Sequence, residues 1–272
     1  MVSEARVPGP DAGVAPEVTT RAPRAAQLAL APPLSIVIPV HNEAEAVLPL
    51  AREVVAALRG RTSFELLFVD DASTDGTSAA LAAARAEIPE LRVLHHSRRG
   101  GQSAALLTGV RAARGEWVAT LDGDGQNDPA DLPALLEALR DGRARDPGLC
   151  LVMGHRITRR DNGLRRLSSR VANGVRSRVL GDATPDTGCG IKVLHRETFL
   201  QLPFFDHLHR FLPALFQRQG ATVISVPVRH RPRSTGRSKY GLHDRLWAGI
   251  VDLLGVLWLR ARFQAGIRAV EE

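Results

Sequence analysis

The chain reads as an α/β protein with a mostly parallel sheet, and three observations carry that expectation. Short β-branched runs alternate with longer stretches of helical periodicity from residue 34 onward. The runs are about five residues long and the stretches about ten or more, the proportions of successive βαβ units. Acidic and amide residues gather where the runs end, and open parallel sheets bind ligands at the carboxyl ends of their strands.

The elements follow in order. Ser35, Ile36, Val37, Ile38 and Pro39 form the first predicted strand, and residues 44–58 the first helix. Residues 65–70 make the second strand, and a helix opens after it around Thr74, Asp75, Gly76 and Thr77. The third strand is 91–94 and the third helix 102–113; the fourth strand, 117–121, runs into Asp122-Gly123-Asp124. Past Asp128-Pro129 come a helix at 130–139 and a fifth strand at 149–153. Within 162–181, Leu164, Leu167, Val171, Val175 and Val179 recur at helical spacing, while Arg165, Arg166, Arg170, Arg176 and Arg178 occupy other faces. Residues 211–216 read as an apolar helical stretch, 223–228 as a strand and 229–240 as a basic loop. Residues 243–260 read as a helix with Leu246, Ile250, Leu253, Leu254 and Leu257 on one side. There is no internal repeat.

Composition bounds the function. With 272 residues, 44% hydrophobic and 24% charged, the chain suits a folded domain whose core needs no staples. Cys150 and Cys189 form neither a metal-type pair nor a disulfide framework, which fits a reducing, cytoplasmic compartment. A net charge of +7 and a pI near 10.7, supplied almost wholly by Arg, attract polyanions. Nucleic acid, anionic lipid headgroups and phosphorylated substrates all qualify, and the sign of the charge does not choose among them. Residues 1–33, rich in Ala, Pro and charge, lack the apolar core of a signal peptide and read as a disordered tail. No segment reaches the roughly 18 apolar residues of a membrane-spanning helix.

Asp122 and Asp124, one residue apart just past a buried strand, have the spacing to converge on a divalent cation and the diphosphate it binds. Mg²⁺ or Mn²⁺ suits such hard oxygen ligands, and the cation neutralises charge that develops on a departing nucleoside diphosphate. Gln126 adds an amide oxygen or orients a water. A calcium loop of the EF-hand type is excluded, because Asn127 follows Gln126 at the sixth position, where that loop needs a glycine. The bland alternative, a helix cap with surplus acidity, loses weight beside two earlier clusters. Asp71 ends the second strand, where a carboxylate can accept a ring N–H from a nucleobase; Pro39, His41 and Glu43, past the first strand, complete a nucleoside site. For Asp75 a turn-making and capping role is favoured. Gly100-Gly101-Gln102-Ser103 precedes a helix and has N–H groups to present to an anion, but lacks the Lys of a Walker loop.

Three strings carry a resemblance: Ile36-Val37-Ile38-Pro39-Val40-His41-Asn42-Glu43, Val69-Asp70-Asp71-Ala72-Ser73-Thr74-Asp75-Gly76-Thr77 and Asp122-Gly123-Asp124-Gly125-Gln126. Together they resemble the family-2 glycosyltransferases of the GT-A fold, a Rossmann-like, mostly parallel sheet flanked by helices. More narrowly, Gly154-His155-Arg156 with Arg160, Asp186-Thr187-Gly188-Cys189-Gly190, His209-Arg210-Phe211-Leu212-Pro213 and Arg233-Ser234-Thr235-Gly236-Arg237-Ser238-Lys239-Tyr240 resemble the dolichol-phosphate mannose synthase and polyprenyl-phosphate glycosyltransferase group. The resemblance implies an inverting transfer of a hexose-type sugar from a GDP- or UDP-sugar to a polyprenyl phosphate of the dolichyl or undecaprenyl type. It implies that Pro39, Glu43 and Asp71 hold the nucleoside, and that Asp122, Asp124 and Gln126 hold the metal and diphosphate. Arg156, Arg160, Arg233 and Lys239 would surround the acceptor phosphate or the departing diphosphate, with Asp186 near the transferred sugar. His41 departs from the Tyr common in the family, and Asn127-Asp128 from the usual continuation of the metal motif. A phosphate acceptor is already largely ionised at neutral pH, so basic residues position it and no general base is required. His209 and Arg210 serve equally well as helix-starting residues.

The Arg-rich stretch and the last helix both pair apolar stripes with charge, the pattern of helices lying in an anionic membrane interface. Residues 246–259 span roughly 21 Å as a helix, short of a bilayer core, and Asp252 interrupts them. Trp247 and Trp258 favour the interface. The expected organisation is a tail at 1–33, a GT-A domain at 34–240 and C-terminal amphipathic, membrane-associating helix at 241–272. The protein is expected to be monotopic, on the cytoplasmic face. A homo-oligomer is compatible with the sequence. Two rivals remain: a transferase of the same fold acting on a hydroxyl, and a basic nucleic-acid-binding or scaffold protein. The first lacks its Thr-Glu-Asp and Gln-x-x-Arg-Trp motifs here. The second leaves the strand-end carboxylates unused and has few aromatic stacking platforms, so no nucleic-acid partner is expected.

Overall fold

The computed structural model describes residues 34–157, 178, 180–182, 184–232 and 242–262, without the side chains of 242–248. It has a seven-stranded sheet in the order β3-β2-β1-β4-β6-β5-β7. The strands are β1 (Leu34–Val40), β2 (Phe64–Asp70), β3 (Leu91–His95), β4 (Trp117–Thr120), β5 (Leu149–Arg156), β6 (Lys192–His195) and β7 (Thr222–Val228). All neighbouring pairs are parallel except the two made by β6, which runs antiparallel to β4 and β5. The chain builds outward from β1 to β3, then returns to place β4 on the other side of β1. That reversal opens a crevice at the carboxyl tips of β1 and β4.

The helices α1 (Ala44–Leu58), α2 (Thr77–Glu87), α3 (Gln102–Ala112) and α4 (Leu132–Arg145) follow their strands as the periodicity predicts. A short α5 (Arg196–Leu200), α6 (Leu212–Arg218) and α7 (Leu242–Arg262) follow among the described residues. Alternating strand residues feed two cores. Ile36, Ile38, Leu66 and Phe68 pack against α1, α2 and α4, while Val37, Leu67 and Val69 face α3, α6 and α7. Strands buried on both faces explain why β1 and β2 read as continuous apolar runs.

Three expectations are corrected. The helix expected at 130–139 begins as a 3₁₀ turn at Pro129–Asp131 and runs on as α4 to Arg145, because Asp128 caps the turn through the Ala130 N–H at 3.0 Å. β6 was not foreseen: four residues opening with Lys192 carry too little alternation to register. The apolar side assigned to the last helix is split. Leu253, Val256 and Leu257 pack on the second core, while Ile250, Val251, Leu254 and Trp258 lie on the outside. All of the Arg-rich stretch at 162–181 except 178, 180 and 181 falls outside the described residues.

Helix α3 lies close on the sheet because Gly109 has no side chain: a Cβ there would overlap Val37 Cγ1 and sit 3.2 Å from Val69 Cγ2. Gly109→Ala is therefore expected to destabilise the fold by about 1–3 kcal/mol through overpacking, read as a lowered Tm in thermal denaturation.

Candidate active site

The site is assembled at the carboxyl tips of β1, β2 and β4, and its geometry begins with Asp71. This carboxylate is buried immediately past β2. The Gly100 N–H donates to Oδ1 at 2.7 Å and the Gly101 N–H to Oδ2 at 2.8 Å, while His96 Nδ1 lies 2.8 Å from Oδ1. Burial pushes its carboxyl up, but the two amides and the imidazole outweigh this and hold it below the usual Asp value. The diglycine turn expected to cradle a ligand anion thus cradles Asp71 itself, a correction to its reading as an anion site. Gly101 adopts φ 85°, a left-handed conformation suited to glycine, and the turn leads directly into α3.

The first turn of α3 carries this order into the crevice. Gln102 Nε2 donates to Asp122 Oδ1 at 2.8 Å, and Ser103 Oγ lies 2.9 Å from His209 Nδ1. Asp122 emerges from β4 with its N–H donating to Asn127 Oδ1 at 3.0 Å, and Asp124 Oδ1 accepts the Gln126 N–H at 3.1 Å. Asn127 and Asp128, the departures from the family pattern, thus hold the acidic loop and cap the turn after it. Two glycines make room for the loop. A Cβ on Gly123 would lie 2.7 Å from the Pro39 carbonyl, and one on Gly190 would overlap Asp122 Oδ2. Burial raises the Asp122 carboxyl above its ordinary value; Lys192 opposes this and Asp124 adds to it.

A crowded carboxylate with a second acid beside it is poorly solvated, and a divalent cation relieves both penalties. Among the described residues no group of three or more His, Cys, Asp or Glu side chains has the arrangement of a protein-only metal cage. Asp122 and Asp124, with the Gln126 amide oxygen, fit instead the sparse donor set of a Mg²⁺ or Mn²⁺ that takes its other oxygens from water and phosphate. The loop is braced from outside. The Arg231 N–H donates to the Gln126 carbonyl at 3.0 Å, and its guanidinium pairs with Glu53 and Asp128, each at 2.7 Å.

Beside Asp122 lies a cavity of about 270 Å³, lined in part by Pro39, Gln102, Gly188, Lys192, His209 and Arg210. Pro39 and Asp122 line it together with Thr187, Gly188 and Gly190, while Asp186, the residue of that segment expected near the sugar, is not in the lining. Arg156 and Asp186 also meet, but in each other's grip: Nε to Oδ2 is 2.7 Å and Nη2 to Oδ1 is 2.8 Å, both side chains largely buried. His41 Nδ1 lies 2.9 Å from the Asp71 carbonyl, and the Glu43 N–H donates to Thr77 Oγ1 at 2.9 Å, tying the β1 and β2 tips together. Asp75 accepts the Thr77 N–H at 3.0 Å, the turn-making half of the role favoured for it; Gly76, not Asp75, is the N-cap of α2. Arg160, Arg233 and Lys239 lie outside the described residues.

The sequence reading missed Lys192. It is buried on β6, paired in register with Thr120, and its ammonium donates to the Cys189 carbonyl. Burial pulls its pKa down, against the fields of Cys189, Asp122 and Asp186. His209 is a wall of the cavity as well as the start of a helix; burial, with Lys192 and Arg210 beside it, lowers its pKa to about 3, so it is neutral at physiological pH. Lys192 had no local signal beyond an isolated basic letter, whereas His209 stood in the string His209-Arg210-Phe211-Leu212-Pro213, which left its role open.

The Asp71 contacts give a stability prediction with a definite sign. Its folded pKa lies below the unfolded value of about 3.9, so the contribution is complete above that value and is lost as pH falls through the lowered one. Asp71→Asn is expected to cost about 1–3 kcal/mol at pH 7. Urea denaturation should show the gap to the parent chain closing in acid.

Residues 35–202 match the model of the family described as "Glycosyl transferase family 2". The dodecaprenyl-phosphate galacturonate synthase of Rhizobium johnstonii is 36% identical over 233 residues, 83% of this chain and 66% of that protein. The undecaprenyl-phosphate 4-deoxy-4-formamido-L-arabinose transferase of Edwardsiella ictaluri is 34% identical over 212 residues, 77% of this chain and 63% of its own. The chain therefore spans less than two thirds of the length of these curated relatives. Among solved structures, glucosyl-3-phosphoglycerate synthase from Mycobacterium tuberculosis, in complex with Mn²⁺, uridine diphosphate and phosphoglyceric acid, superposes with a TM-score of 0.64 at 22% identity. The superposition covers 85% of this chain and 79% of that one, a likeness of fold. The acidic loop at the β4 tip lies inside the matched segment, and the chain belongs to glycosyl transferase family 2.

Proposed function

We propose that the protein transfers a sugar from a nucleotide-sugar to a polyprenyl phosphate at a membrane surface, with inversion and with the help of Mg²⁺ or Mn²⁺. The observation that carries this reading is Asp122 with Asp124 at the switch point of the sheet, opening on a cavity walled by basic residues. The curated relatives support the acceptor class, since their names join different sugars to a polyprenyl phosphate. Uridine and guanosine donors both remain to be screened.

The roles follow from what each side chain is free to do. The β1 and β2 tips, with Pro39, His41, Glu43 and Asp71, form the nucleoside end. Asp122, Asp124 and Gln126 hold the cation, which when bound supplies Lewis acidity to the departing diphosphate. Gln102 fixes the orientation of Asp122. Asp186, with both oxygens on Arg156, is poorly placed to attack the sugar itself. A single displacement by the acceptor phosphate is the route this favours, and it inverts the anomeric centre. The pair instead presents Arg156 as a fixed cation for phosphate oxygens, beside the proposed contacts of Arg160, Arg233 and Lys239.

Radiolabelled UDP- and GDP-sugars should be offered to the full chain with vesicles containing undecaprenyl phosphate. Label extractable into organic solvent is the expected result. Chelation should abolish it, added Mg²⁺ or Mn²⁺ restore it, and Asp124→Ala lower it by about a hundredfold or more. A water-soluble product, or transfer indifferent to Asp124, would remove this reading.

Membrane association is proposed from α7. Ile250, Val251, Leu254 and Trp258 are 41 to 63% exposed along one side, an apolar stripe with a Trp suited to an interface. No helix among the described residues is long and apolar enough to cross a membrane. Flotation with vesicles should show binding, and Leu254→Glu with Trp258→Glu should weaken it by about tenfold or more.

A further inference from the structure

Two residues in the basic wall of the cavity, Lys192 and Arg210, have been given no individual role. Lys192 and Lys239 are the only lysines in a chain with 36 Lys and Arg. Lys192 is buried on β6, and its register partner Thr120 lines the same cavity. The nearby acids are otherwise engaged. Asp186 is held by Arg156, and Asp122 and Asp124 are assigned to the cation. Among the described residues Lys192 forms no ion pair; its ammonium rests on a backbone carbonyl. Arg210 joins it in the wall, together with the neutral imidazole of His209.

Strand order says which part of the donor meets this wall. With the nucleoside at β1 and β2 and the diphosphate at the β4 tip, the attached sugar projects onward toward β6. A neutral pyranose offers only hydroxyls to Lys192 and Arg210. Lys192 feels the fields of Asp122 and Asp186, but a cation on Asp122 and Asp124 and the Arg156 partner of Asp186 offset them. Once water is expelled, a further anion beside Lys192 and Arg210 is therefore favoured. A sugar bearing an acid group supplies that anion.

We propose that the donor sugar carries a carboxylate, as in the uronic acids, and that Lys192 together with Arg210 is the specificity-determining pair that recognises it. This rests on the sugar-transfer reading above. The cavity wall then selects by charge, and a neutral hexose on the same nucleotide is the disfavoured substrate.

The test compares an acidic and a neutral sugar on one nucleoside diphosphate. UDP-glucuronate and UDP-galacturonate are set against UDP-glucose and UDP-galactose, or GDP-mannuronate against GDP-mannose if guanosine proves active. The full chain is assayed with undecaprenyl phosphate in vesicles. The uronates are expected to be favoured about tenfold or more in kcat/KM. Lys192→Met, checked for folding by its Tm, should collapse that ratio about ten- to a hundredfold, and Arg210→Gln should lower it in the same direction. A general folding defect would depress both donors together and leave the ratio unchanged. Equal or better transfer of the neutral sugar by the parent chain overturns the inference and leaves sugar transfer standing. So does an unchanged ratio in both variants. Failure to move any sugar onto the lipid overturns the function beneath it, and this inference with it.

Discussion

The carboxyl edge of the sheet depends on one buried anion, Asp71. By accepting two successive backbone N–H groups from Gly100 and Gly101, it fixes where α3 begins. That start sets Gln102 against Asp122 and Ser103 against His209. A single carboxylate at the β2 tip therefore links the tips of β1 and β2, the acidic loop and the cavity wall. Two amide donors to one ionised acceptor are strong where water is scarce. The arrangement places backbone geometry in the service of side-chain aim.

Around that anchor the site is built by omission as much as by contact. Gly123 lets the acidic loop lie against Pro39 and Val40, and Gly190 lets the 186–190 segment lie against Asp122. Gly154 does the same beside Ile191 and Cys189. Close approach of backbone to carboxylate excludes water, which raises the electrostatic weight of the charges that remain. Asp122 beside Asp124 then favours a cation, and Arg156 is locked to Asp186.

Much of this was legible in the letters. β1 and β2 announce themselves because both faces are buried, which leaves unbroken apolar runs such as Ile36-Val37-Ile38. Asp71, Asp122 and Asp124 stood out because acids directly after such runs have few structural reasons to be there. The rest was hidden for identifiable reasons. β6 is four residues long and antiparallel, and no local pattern marks a strand that owes its place to two neighbours. Lys192 and His209 lie far apart in sequence and meet only through the fold. The diglycine turn looked like a ligand cradle because an anion does sit in it; the sequence could not say that the anion was Asp71. The last helix presented one apolar side on paper, but Leu253 and Leu254 differ by a hundred degrees around its axis. That angle separates a core residue from an outward one.

The tie between α7 and the body of the protein has a mechanical meaning. His207 Nδ1 lies 2.9 Å from Asp252 Oδ2, and His207 precedes by two residues the imidazole that walls the cavity. Val256, on the same helix, is fully enclosed by the second core. The helix that shows Leu254 and Trp258 to the outside is thereby riveted to the turn that carries His209 and Arg210. The outward side of the helix and the wall of the chamber thus share one rigid support, with Asp252 and His207 as the joint between them.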